Sequence, residues 1–255
     1  MRLGLIGDVH ANLAALETAL DFCDGAGVDE YVCTGDLVGY GPQPDECVAR
    51  VATLPGVCVV GNHDLIALEE LTTERCIPLA RQSLEWTTRV LGDEARATLR
   101  ALPAGARSAG EVLVAHGSLA DPQEYVRTAT QAREQLEAAP GARIIVLGHT
   151  HETLAVGARG QPLLAGGTGE VKLEPDERYV LNPGSVGQSR QRSARARLAV
   201  LDLERSTVVF HALRYDIAAC RAELRRRGLP EDACHLPPRP LRRLVGRTLG
   251  RMRGG

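Results

Sequence analysis

The chain has 255 residues and a formal net charge of −2, with 44% apolar, 24% charged and 3% aromatic residues. This balance supplies a packed core for one large or two small domains, and it excludes a strongly basic nucleic-acid binder and an acidic disordered chain. The few aromatic side chains are too scattered for a base-stacking surface, and no apolar run approaches the ~18 residues of a membrane span.

In chain order, Arg2–Ile6 is a short apolar run that stops at Gly7-Asp8, so it predicts a strand rather than a signal-peptide core. Asn12 then opens an amphipathic stretch, Leu13–Cys23, with Leu13, Leu16 and Leu20 at helical spacing, which predicts a helix with Asn12 as its N-cap. The strand-and-loop pattern recurs at Glu30–Thr34 before Gly35-Asp36, and at Val57–Val60 before Gly61-Asn62-His63-Asp64. Strands almost wholly apolar and alternating with helices indicate an α/β sheet covered on both faces. Residues 65–103 read as helical, with Pro78 near one helix start and Pro103 after another, and are assigned as an insertion or cap within a domain spanning 1–235. Strands return at Val112–Ala115 before His116 and at Ile144–Leu147 before Gly148-His149-Thr150-His151. The runs Tyr179–Leu181, Leu198–Leu203 and Val208–Leu213 predict strands of a second sheet, and Asp216–Arg227 a closing helix. Residues 236–255 hold six Arg and no acid, so a tail of +6 follows a body of −8. That tail is predicted to be flexible and solvated, with an arm for an anionic partner as the alternative.

Seven Cys (23, 33, 47, 58, 76, 220, 234) with no Cys-x-x-Cys pair fit neither a disulfide framework nor a thiolate zinc site, and reduced thiols are expected. Cytoplasmic localisation follows as an expectation. The seven His are more informative, because five lie beside Gly, Asp or Asn at the ends of apolar runs. In open α/β sheets such strand ends converge on the ligand site. Five of them deliver Asp8 and His10, Asp36, Asn62 with His63 and Asp64, His116, and His149 with His151. Each motif has a bland alternative alone: Gly-Asp is a common turn pair, Asn and Asp favour caps, and a lone His suits a core. Together, at successive strand ends, they form a nitrogen and oxygen donor set without thiolate, suited to Mn, Fe, Zn, Ni or Co and unlike an all-oxygen Mg or Ca cage.

The arrangement resembles the calcineurin-like metallophosphoesterase superfamily. Its motifs stand here as Asp8-x-His10, Gly35-Asp36, Gly61-Asn62-His63-Asp64, His116 and Gly148-His149-x-His151. The longer runs Gly7-Asp8-Val9-His10-Ala11-Asn12, Gly35-Asp36-Leu37-Val38-Gly39-Tyr40-Gly41-Pro42 and Asn182-Pro183-Gly184-Ser185-Val186-Gly187 resemble its small bacterial and archaeal phosphodiesterase branch. The resemblance implies a four-layer α/β/β/α sandwich of two mixed sheets, with a dinuclear metal site at the strand ends. Asp8, His10, Asp36 and His151 would bind one ion, and Asp36, Asn62, His116 and His149 the other. Two divalent transition-metal ions are expected, manganese first, with Fe, Zn, Ni or Co as alternatives. The implied reaction is phosphoester hydrolysis, foremost of phosphodiesters, by a hydroxide bridging the two ions. His63 would stabilise the transition state or protonate the leaving group, with Asp64 orienting it. Asn12 and Arg190 are the candidate substrate-binding residues, and a nucleotide is among the candidate substrates.

Departures narrow the choice. Protein Ser/Thr phosphatases and dinucleoside-tetraphosphate hydrolases of this superfamily usually carry an Arg after the second Asp motif, where this chain has Gly39-Tyr40-Gly41. Without that clamp a singly charged diester is favoured over a phosphomonoester, although Arg190 offers a replacement from another loop. The usual Gln-Pro-Arg motif reads Gln188-Ser189-Arg190, and Thr153 replaces the usual Pro after the last His motif. The alternatives are a phosphomonoesterase acting as a Ser/Thr protein phosphatase or a dinucleoside polyphosphate hydrolase, and a non-catalytic scaffold like the retromer subunit. The scaffold is disfavoured by a complete ligand set.

Overall fold

Along the first strand, Leu3 and Leu5 join one apolar cluster and Ile6 another, as the period-two geometry of a strand covered on both faces requires. A computed structural model describes residues 1–103, 107–109, 112–160 and 162–237. The strands are β1 (Arg2–Ile6), β2 (Glu30–Cys33), β3 (Gly56–Cys58), β4 (Arg107–Ala109), β5 (Val112–Val114), β6 (Ile144–Val146), β7 (Thr153–Gly157), β8 (Pro162–Ala165), β9 (Gly169–Lys172), β10 (Tyr179–Pro183), β11 (Ala196–Asp202) and β12 (Thr207–Leu213). Between and after them lie helices α1 (Leu13–Gly25), α2 (Pro44–Ala52), α3 (Asn62–Ala67), α4 (Pro78–Val90), α5 (Asp93–Ala101), α6 (Ala129–Ala138) and α7 (Ile217–Arg226), then a 3-10 turn at Glu231–Cys234.

Two mixed six-stranded sheets result, ordered β3-β2-β1-β11-β12-β9 and β4-β5-β6-β10-β7-β8. Leu3, Leu5, Ala199, Leu201 and Phe210 of the first meet Val112, Val114, Ile144, Val146 and Leu181 of the second. The outer face of the first sheet is covered by α1, α2 and α5 through Leu16, Leu20, Val48 and Leu99, and that of the second by α6 through Ala132 and Leu136. This is the expected α/β/β/α sandwich. Asn12 caps α1, accepting from the Ala15 amide at 3.2 Å, and Asp216 caps α7. All seven cysteines are free thiols.

One expectation fails. The three late strands do not share a sheet: β10 lies in the second, whereas β11 and β12 complete the first, with β11 antiparallel to β1 (Leu3 opposite Leu201). Alternation reveals which faces of a strand are buried but not which distant strand it joins. The helical segment 65–103 divides in two. Ala95 and Leu99 of α5 join the outer helical layer, while Ala80 of α4 packs with Tyr40, Cys220 and Leu224 over the strand ends. The expected basic tail lies, apart from Leu236 and Pro237, outside the described residues.

Register sets up the site. In the parallel β1–β2 pair Ile6 lies opposite Cys33, and in β5–β6 Val114 lies opposite Val146, so Asp8 and Asp36, and His116 and His149, leave neighbouring strands at one end. Because Leu5 is fully buried between the sheets, Leu5→Ala should lower unfolding free energy by roughly 2–5 kcal/mol in urea titration. A loss below about 1 kcal/mol would contradict tight packing of that seam.

Candidate metal centre

A strand that ends in the interior must turn sharply where its hydrogen bonds stop. Asp8, His10, Asp36, His149 and His151 all adopt left-handed backbone, with φ of 48, 48, 52, 65 and 60°. For non-glycine residues this is strained by about 1–3 kcal/mol each, so surrounding contacts must impose it. Loop-to-loop hydrogen bonds do so: Asp8 N to Gly35 O (2.9 Å), His10 N to Asp36 O (2.9 Å) and Ala11 N to Leu37 O (2.8 Å). The Asn182–Gly187 run closes the other side. The Asn182 amide donates to Gly148 O (2.7 Å), the Ser185 hydroxyl to Asp8 O (2.8 Å), and the Val186 and Gly187 amides to Gly7 O and Asp8 O (both 3.0 Å). A Cβ on Gly187 would sit 1.8 Å from Val9 O, so only glycine permits this approach.

The side chains converge in two groups, Asp8, His10, Asp36 and His151, and Asp36, His116 and His149, whose ligating atoms lie within 4.8 Å of one another. Asp36 belongs to both. Its Oδ1 accepts from the His63 amide at 2.8 Å, and its Oδ2, without a hydrogen-bond partner, lies 3.3 Å from His116 Nε2 and 3.6 Å from His10 Nε2. Asn62 joins the second group with Oδ1 2.9 Å from His116 Nε2.

The tautomers decide what this cluster can bind. His10 Nδ1 faces Val38 O (3.1 Å), His116 Nδ1 faces Thr34 O (2.8 Å) and His151 Nδ1 faces Gln188 O (2.6 Å). A carbonyl only accepts, so each Nδ1 carries the proton and each Nε2 of a neutral ring presents a lone pair inward. Burial holds both His10 and His151 well below the usual imidazole range, so both are neutral. Their Nε2 atoms nevertheless lie 3.1 Å apart, two acceptors with no proton between them. His149 Nε2 is likewise buried without a partner, and burial, reinforced by His116, pulls that ring down to about 3. Converging lone pairs and an orphaned carboxylate oxygen are what a divalent cation satisfies, so the residues fit a metal centre.

The charges are arranged to the same end. Burial works against ionisation of Asp36, but the imidazoles, His116 first, hold its carboxyl well below the usual range. Burial opposes protonation of His116 too, yet the charge of Asp36 beside it holds it up to about 9. Burial pushes Asp8 up to about 7. Without metal a proton on His116 neutralises the centre; with metal the cation takes its place.

Two predicted roles are repositioned. Asp64 does not touch the His63 ring: its carboxylate accepts from Val38 N (3.0 Å) and Gly61 N (2.9 Å), while His63 Nδ1 is unpartnered. It therefore fixes the loops around Asp36. Asn12 does not line the cleft; its Nδ2 donates to Gly187 O at 2.8 Å while Oδ1 caps α1, so it braces the site from behind. Arg190 does line it, with Asp36, His63, His149 and His151, in a cleft of about 290 Å³. Pattern reading missed Tyr125, whose ring stacks on His149 at 4.2 Å and whose hydroxyl accepts from Arg190 Nη1 at 3.3 Å. No motif surrounds it.

The family model of the calcineurin-like phosphoesterase superfamily domain matches residues 1–206. The chain belongs to this superfamily. A metallophosphoesterase from Sphaerobacter thermophilus is 36% identical, with a TM-score of 0.79 over 92% of this chain and 97% of that one. Hypothetical protein PH1004 of Pyrococcus horikoshii shares the fold at 18% identity, with a TM-score of 0.74 over 91% and 96% of the two chains. The uncharacterized protein MJ0912 of Methanocaldococcus jannaschii is 28% identical over 90% of this chain and 94% of its own. Among the described residues no helix is long and apolar enough to cross a membrane.

If the inward lone pairs await a cation, a divalent ion at a hundred times its Kd should stabilise the metal-free protein by about 2.7 kcal/mol, raising Tm by roughly 5–10 °C. An unchanged Tm with millimolar Mn, Zn and Ni would contradict that reading.

Proposed function

We propose that the protein is a metal-dependent phosphodiesterase, and the observation that carries this reading is the cation supply of the cleft. Two arginines line it. Arg75 is engaged by Asp121 at 2.8 Å and by the Gln123 carbonyl at 2.9 Å, whereas Arg190 meets the hydroxyls of Tyr125 and Tyr40, not a carboxylate, and keeps a buried, unpartnered Nε. One guanidinium matches the single negative charge of a diester. A clamp on a dianionic monoester would need more donors, and the place after Asp36 where one would stand is closed. A Cβ on Gly39 would lie 2.3 Å from His63 Nδ1, and one on Gly41 2.2 Å from His10 O, while Tyr40 stacks on His63 with ring centroids 4.9 Å apart. Cys76, Ile77, Ala80 and Leu236 form an apolar wall that suits the second ester substituent.

In this reading Asp8, His10, Asp36 and His151 hold one divalent ion, and Asp36, Asn62, His116 and His149 a second, manganese being the first candidate for a set of nitrogen and oxygen donors. Bound there, the pair supplies Lewis-acid charge to the phosphoryl oxygens and activates water at neutral pH. Arg190 orients the phosphate by charge-assisted hydrogen bonds from its guanidinium. His63 is pulled down to about 4 by burial, so its ring is neutral at pH 7 and acts as an N–H donor to the ester rather than as a standing imidazolium. Tyr40 and Gly39 fix that ring from two sides.

The test is a rate comparison on bis(p-nitrophenyl) phosphate and p-nitrophenyl phosphate with Mn, Zn, Ni, Co or Mg. The diester should turn over at least about tenfold faster in kcat/KM, and His63→Ala should keep its metal while losing about 10²–10⁴ in kcat. A preference for the monoester would instead assign a phosphomonoesterase, and loss of metal in the variant would remove His63 from its catalytic role.

A further inference from the structure

Arg190 stands between two clefts. The segment 190–193, between β10 and β11, also borders a second cleft of about 530 Å³ that Arg190, Arg127, Arg192 and Arg197 line together, against one acidic neighbour, the exposed Glu152. Like charges crowded in this way repel one another unless an anion joins them. Among the described residues, none of the four forms an ion pair with a carboxylate.

Arg197 is the most telling. It lies on β11 with 5% of its surface exposed, reaches only the Gly167 carbonyl (Nη1 at 3.4 Å), and has an Nε without a partner. Burial, with Arg195 adding to it, holds its guanidinium below the usual range. The Thr153 hydroxyl donates to that same Gly167 carbonyl at 3.0 Å, so the acceptor that steers Arg197 is itself pinned. Two more buried donors in this cleft are unpartnered, Nε of Arg190 and Nε2 of Gln191. Each such group is costly to bury unless something binds it. Tyr125 of the first cleft is flanked by two of these arginines, with the Arg127 guanidinium 3.9 Å over its ring and that of Arg190 5.9 Å away.

We propose that the second cleft is a subsite for a further phosphate of the substrate, one covalently linked to the scissile diester, with Arg192 and Arg197 as its principal ligands and Arg190 spanning both phosphates. This deepens the phosphodiesterase reading and rests on it for the substrate, though not for the existence of an anion site. It identifies the substrate class as diesters that carry a second, terminal phosphate, for which a phosphate-terminated dinucleotide is a probe, not neutral-ended diesters.

The experiment compares thymidine dinucleotide with and without a 5′-terminal phosphate on the Mn-loaded protein, and inorganic phosphate binding to the metal-free protein by calorimetry. The terminal phosphate should lower KM about tenfold with kcat within about twofold, and Arg197→Gln should reduce that advantage to under about threefold while leaving KM for the unphosphorylated dinucleotide unchanged. Arg192→Gln, at an exposed position where misfolding is not a concern, should act in the same direction and weaken phosphate binding to the metal-free protein. Equal KM for the two dinucleotides in the wild type overturns the proposal. Phosphate binding that depends on Arg192 without any KM difference also overturns it, since the cleft would then hold a free anion as an effector. If neither dinucleotide is hydrolysed while the metal-free protein still binds phosphate through Arg192, the phosphodiesterase reading and its substrate assignment fail and the anion site stands.

Discussion

The Nε2 atoms of His10 and His151 face each other across 3.1 Å, each with its proton committed to a backbone carbonyl on the far side of the ring. No arrangement of neutral imidazoles satisfies that contact and both carbonyls at once. Around it lie Asp8, Asp36, Asn62, His116 and His149, all buried, with one carboxylate oxygen and one further ring nitrogen unpartnered. A divalent cation satisfies the facing ring lone pairs and the carboxylate oxygen together, in place of the proton that His116 otherwise holds. The rest of the fold follows from holding these groups together in advance. Two sheets packed through an apolar seam put strand ends from both at one level, and neither sheet alone carries the whole donor set.

Holding them carries a local cost. Candidate ligands in left-handed conformation, at the ends of β1, β2 and β6, would relax toward ordinary backbone if their loops were free. They are not free, because the Asn182–Gly187 run after β10 ties the β1 loop to the β6 loop through side-chain and main-chain donors. Asn12 and Asp64 belong to the same framework. Both bind backbone from behind the centre, so their burial is explained without giving either a part in substrate contact. Strain of this kind belongs to preorganisation: the ligands do not have to be gathered when the ion arrives.

Much of this was legible in the sequence. The strands that end in Asp8, Asp36, Asn62, His116 and His149 are short apolar runs broken by Gly-Asp, Gly-Asn, His-Gly or Gly-His, and local chemistry fixes both their extent and the residues they deliver. The cap at Asn12 was legible for the same reason, since its signal lies within four residues. What escaped was set by long-range packing. That β11 returns to pair with β1, rather than joining β10, depends on partners about 200 residues apart in the chain. Tyr125 carries no pattern of its own and matters only because α6 and its preceding loop bring it against His149. Asp64 was misread because its neighbour in sequence, His63, turns its ring toward Tyr40 and Gly39 instead. The significance of Gly39 and Gly41 was half legible: their presence showed that the usual arginine was missing, and only the packing shows that no side chain would fit there.

We propose that one carboxylate, Asp36, serves two cation positions. The most direct test is anomalous scattering from a crystal of the manganese-loaded protein. Two peaks are expected to flank the Asp36 carboxylate, one among Asp8, His10 and His151 and the other among Asn62, His116 and His149. A single peak, or two peaks that do not share Asp36, would contradict it.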